Sequence, residues 1–122
     1  MNKETANEFI TYLEKQITAC KEQEEKLKKD NRTDERIFAK ICGNVYDISK
    51  TIFSVAGKGG QKGITQEQFF LDKLVQLTDS WQAAYEKAMV HNDVEKMQVE
   101  HIKLDAANKI RTQFLILTEK KA

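Results

Sequence analysis

Glu22 and Glu25 stand one turn apart if their stretch is helical, so both carboxylates fall on one side of it. A helical Mg²⁺-dependent nucleotide hydrolase holds its cation between two such acidic pairs on facing helices. No convincing second pair occurs on another periodic segment, and Glu22 and Glu25 lie in residues 21–29, which are almost wholly charged. A solvated helix face is the stronger reading, with the hydrolase kept as an alternative. A carboxylate-bridged di-metal bundle needs Glu-x-x-His from two helices. Here Gln98 stands three residues before His101 and Ala88 three before His91, so neither histidine completes that motif.

Other nucleophiles and loops are equally plain. Residues 57–63 combine four glycines with Lys58 and Lys62, but a P-loop requires Gly-Lys-Ser/Thr, and Gly63 follows Lys62. That segment reads as a flexible connection. None of Ser49, Ser54 and Ser80 sits in a nucleophile-elbow pattern. Cys20 precedes the first turn by about as many residues as Cys42 follows it, so an antiparallel hairpin sets the two thiols level. Both lie on or beside apolar stripes, where free cysteine packs as a small hydrophobe, and inert packing is favoured over a redox pair. No catalytic residue, metal or cofactor is assigned.

The charge balance speaks against an electrostatic footprint for a polyanion. Among 122 residues, 20 Lys and Arg offset 19 Asp and Glu, with both signs interspersed. A polyanion reader shows a basic face instead, so nucleic acid is not an expected partner. Residues 1–9 lack the apolar run of a signal peptide, and no stretch reaches the ~18 apolar residues of a membrane span. The expectation is a cytoplasmic protein without membrane contact, its thiols free.

The chain contains no proline, which suits nearly continuous helix because proline removes an N–H and breaks helix interiors. Helices are expected at about residues 4–29, 33–56, 65–91 and 93–119, forming one domain over residues 1–122. Thr65 and Gln68 have capping-box spacing, with Ile64 and Phe69 placed as a hydrophobic staple. Thr33 reads as the cap of the second helix, and Asn92 with Glu95 as a further capping box. Apolar residues recur at steps of three and four. The first stripe is Ala6, Ile10, Leu13, Ile17, Cys20 and Leu27, with Phe9 beside it; it thins at residues 21–29, an end expected to be exposed or frayed. The second carries Phe38, Ile41, Val45, Ile48, Ile52 and Val55, widened by Ile37, Cys42, Phe53 and Ala56. The third carries Phe70, Leu74, Leu77, Trp81, Ala84 and Ala88. The fourth is apolar on two sides, which makes it either central or a contact for another chain.

Four such helices joined by short loops imply an all-α, antiparallel up-down-up-down four-helix bundle. That topology gathers Phe9, Phe53, Phe69, Phe70 and Phe114 at one end, together with Leu115 and Ile116. Four consecutive apolar residues, 114–117, cover a whole turn, more than one core stripe buries. The expectation is a non-catalytic bundle acting through protein contacts, beginning with its own homodimer, with these seven residues as the contact surface. The alternatives are a pocket for a small apolar ligand at the same end, and a thick local core.

Overall fold

The computed structural model describes residues 1–58 and 64–120, which form four helices: α1 Lys3–Lys29, α2 Thr33–Gly57, α3 Gln66–Val90 and α4 Val94–Lys120. They pack as an all-α four-helix bundle in which successive helices run antiparallel. The register is fixed by opposed side chains. On α1 and α2, Phe9 meets Phe53 and Cys20 lies against Gly43; on α3 and α4, Phe70 meets Phe114 and Trp81 lies under Lys103. Residues 59–63 of the expected flexible connection lie outside the described residues; Gly57 ends α2 and Lys58 caps it.

Local chemistry explains where each helix starts. Asn2 accepts from the Thr5 N–H at 2.8 Å, and Thr65 accepts from the Gln68 N–H at 3.1 Å, as an N-cap should. The Gln68 amide donates forward to Asp72 at 2.7 Å, so only one half of the expected box forms. Two expected caps are displaced. Arg32 is the N-cap of α2 without a side-chain bond, and Thr33 is already helical. Asp93, not Asn92, caps α4 by accepting from the Lys96 N–H at 3.1 Å.

Asn92 does something else. It has a φ of 54°, and Asn31 has a φ of 58°, the left-handed conformation that asparagine tolerates better than most residues. At the end of α1 the Asn31 N–H reaches the Lys28 carbonyl and the Arg32 N–H the Leu27 carbonyl. At the end of α3 the Asn92 N–H reaches Met89 and the Asp93 N–H reaches Ala88 at 2.8 Å. Both are Schellman closures, which satisfy carbonyls a helix terminus would otherwise leave open. α1 is therefore helical through Lys29 and closed rather than frayed; in residues 21–29 the charged side chains are exposed except half-buried Glu24, while Leu27 is buried.

The core runs through all four helices. α2 and α4 approach each other across the diagonal, whereas α1 and α3 do not come within close backbone distance. Ala106 and Ala107, both buried on α4, have the small side chains that such an approach requires. α4 contacts the other three helices, so the helix read as apolar on two sides is central. On α2 the buried face differs from the expected stripe: Val45, Tyr46, Ser49, Phe53 and Ala56 point inward, and Ile37, Ile48 and Val55 point out. α2 carries more apolar residues than one face can bury. The buried face includes Ser49, whose hydroxyl donates to the Val45 carbonyl at 2.8 Å and is thereby satisfied inside its own helix.

Candidate functional site

The expected contact surface separates into two kinds of residue. Phe9, Phe53, Phe70 and Phe114 come one from each helix and are sealed in the core. Every pair among them is in ring contact, with centroids 4.9–6.2 Å apart. Most of these pairs meet edge to face, the arrangement their quadrupoles favour. These four rings fill the space between the helices, so they offer a partner no surface and leave an apolar ligand no room among them. Phe69 and Leu115 are half-buried, Phe69 beneath the Lys73 ammonium at 5.6 Å, while Ile116 is 44 % exposed. Neighbouring helix positions point about 100° apart, so Leu115 and Ile116 do not share one patch.

Exposed large apolar side chains occur on α2, α3 and α4, and on α2 three of them fall in one line. Ile37, Ile48 and Val55 are 43 %, 42 % and 55 % exposed. Spacings of eleven and seven residues return each of them to the same side of the helix. Ile41 and Ile52, both half-buried, lie along the inner margin of that line.

A second feature is polar. Tyr12 of α1 and Tyr46 of α2 face each other with ring centroids 6.2 Å apart, and the Tyr46 hydroxyl donates to Tyr12. Further along the same contact, about two turns from Tyr12 on α1 and one from Tyr46 on α2, Cys20 lies beside Cys42. Burial pushes the Tyr46 phenol well above its ordinary value, and the adjacent Tyr12 adds to the effect. Burial raises Tyr12 too, opposed by its bond from Tyr46 and by the Lys109 ammonium. Lys109 in turn is held charged by Asp105, 3.2 Å away. The Cys20 thiol is pushed up to about 11, first by burial and then by the neighbouring Cys42. At neutral pH the Tyr12 and Tyr46 phenols and the Cys20 thiol are therefore protonated along the α1–α2 seam.

The seam is unusually close at that point. A Cβ at Gly43 would stand 3.0 Å from Cys20 Cβ, so glycine is what lets the backbones meet there. The sequence signal was available: Gly43 is the only glycine inside an apolar-periodic segment, and it follows Cys42 directly. Tyr12 and Tyr46 carried no such signal, because which face of α2 turns inward decides whether they meet.

Clefts border the seam. One of about 510 Å³ lies between α1 and α4, lined by Tyr12 and Leu117 among polar and charged side chains including Glu8, Lys15 and Gln113. A smaller one of about 210 Å³ opens onto Cys20 beside Lys21, Lys40 and Asp47. Glu22 and Glu25 are exposed on α1, and His91 and His101 are exposed as well. Among the described residues, no group of three or more His, Cys, Asp or Glu side chains is placed to hold a metal ion. No helix among them is long and apolar enough to cross a membrane. No family model, curated protein or solved structure matches the chain.

Proposed function

We propose that the chain works through protein contacts, beginning with a second copy of itself, and carries out no catalytic step of its own. The observation that supports this is the outward line Ile37, Ile48 and Val55 on α2, three large apolar side chains more than two-fifths exposed on one side of one helix. At about 1.5 Å per residue the line spans about 27 Å, long enough for a helix-to-helix seam. Ile41 and Ile52 widen it toward the core. A second copy supplies the same line, and a two-fold contact of identical strips is the commonest form of self-association. With a formal net charge of +1, two copies approach without appreciable overall repulsion. The seat of contact in this proposal is α2, in place of the aromatic end.

Sedimentation equilibrium on the purified chain tests it, alongside the double variant Ile48→Ser with Val55→Ser. The wild type is expected to be dimeric and the variant monomeric or at least tenfold weaker, with both melting at nearly the same temperature. A wild type that stays monomeric at all accessible concentrations, or a variant that dimerises equally well, overturns the proposal.

A further inference from the structure

We propose that Cys20 and Cys42 are a reversible dithiol–disulfide pair that staples α1 to α2, oxidised by thiol–disulfide exchange with a low-molecular-weight disulfide. Three observations carry it. Helix axes in a bundle normally stand 8–10 Å apart, whereas a disulfide joins Cα atoms about 4.4–6.8 Å apart, so most opposed helical cysteines need a backbone shift to bond. Here Gly43 removes the obstacle, because a Cβ there would lie only 3.0 Å from Cys20 Cβ and 3.9 Å from its sulfur. The two thiols, both free, flank this close approach: Cys20 faces Gly43, and Cys42 is the residue immediately before it. Both are only half-buried, and the cleft beside Cys20 gives a small reagent access to its sulfur.

The exchange balances as follows. A Cys20 thiolate attacks one sulfur of the small disulfide; that S–S bond breaks, and one small thiolate leaves and takes up a proton. The Cys42 thiolate then attacks the Cys20 sulfur of the mixed disulfide and expels the second small thiol. Two protein thiols are oxidised to one disulfide, and one small disulfide is reduced to two thiols. A reducing excess of the small thiol runs the same steps backward. Because Cys20 holds its proton up to about 11, the first step is slow at neutral pH and accelerates as pH rises toward that value. Such a pair behaves as a poised staple, not as a rapid peroxide sensor.

The test uses the full chain in buffers of oxidised and reduced glutathione at graded ratios, without denaturant, quenched with acid and read by intact mass and peptide mapping. The expected product has lost two hydrogens, contains a linked Cys20–Cys42 peptide, reverts under excess reduced glutathione, and melts higher by about 5–10 °C. Cys42→Ser, which leaves Cys20 unresolved, is expected to collect a single glutathione adduct, and Cys20→Ser to form no internal bond. A wild-type chain that accumulates a glutathione adduct instead of the internal bond overturns the proposal. So does oxidation only in denaturant, or an oxidised form that melts lower than the reduced one.

Discussion

The two ends of this bundle are held by different physics. At one end a phenylalanine from each helix meets the other three, with Leu13, Leu74, Ile110 and Leu117 also in the core cluster. At the other end the buried side chains are sparser. Leu27 and Ala88 are buried there, Phe38 and Trp81 are half-buried, and the carboxylate of Glu100 is buried beside the Lys103 ammonium at 3.3 Å. What closes that second end is main chain. Leu27 and Ala88 are also the residues whose carbonyls accept from Arg32 and Asp93 in the two Schellman closures. The aromatic end is secured by apolar area removed from water, and the far end by two turns that leave few carbonyls open.

The largest effect is expected from removing a ring. Phe9→Ala takes away four aromatic partners at once and Phe114→Ala three, and each should cost about 3–5 kcal/mol. That is a large share of a small domain's stability. Leu27→Ala at the far end should cost about 2 kcal/mol, the low end for a buried leucine, because fewer large side chains surround it. Urea unfolding of the three variants measures both. Equal losses at the two ends would break the contrast, and a far-end loss exceeding the aromatic one would reverse it.

Between the ends lies the tyrosine–thiol seam, and alkaline pH weighs it against them. Cys20 starts from an ordinary value of 9.0 and is held up to about 11 in the folded chain, and Tyr12 and Tyr46 are raised from 10.0. For acids held protonated by folding, the stabilisation is intact below the unfolded values and is lost as pH rises through the folded ones. The chain should therefore hold its melting temperature up to about pH 9 and lose it progressively above, with Cys20 contributing up to about 11. Tyr46→Phe should flatten the upper part of that decline. A decline unchanged in Tyr46→Phe with Cys20→Ser would place the loss outside the seam.

The fold was legible because it needs little information. The step of three and four, the absence of proline, and the short joins at residues 30–32 and 91–93 are enough to specify four antiparallel helices. Thr65 was legible as a cap because its hydroxyl has one local task. The face of α2 was not, since Phe53, Ile48, Ile52 and Val55 are equally apolar and spacing alone cannot say which side meets α1. The deciding facts are non-local: the clearance at Gly43, the satisfied hydroxyl of Ser49, and the partner that Tyr46 finds in Tyr12. For the same reason spacing places the aromatic end along the axis but does not decide whether its four rings face core or surface. Asn92 was misread for a local reason. A residue between two helices can end one or begin the next, and Asn-x-x-Glu fits both until φ is known.

The smallest effect probes the main-chain closure directly. Asn31 and Asn92 hold positive φ, where a Cβ crowds the following carbonyl and an ordinary residue loses about 1–2 kcal/mol. Asn92→Ala should cost about 1 kcal/mol, part of the full penalty, because asparagine already bears some of that strain. Asn92→Gly removes the strain but gives the unfolded chain more freedom to lose, so the two terms offset within about 0.5 kcal/mol. Hydrogen exchange adds the location: Asn92→Ala should speed exchange at the Asp93 N–H and the first turn of α4 while leaving amides around Phe70 and Phe114 protected. A uniform rise in exchange would mean the two ends open together, and the far end would then owe its closure to the shared core after all.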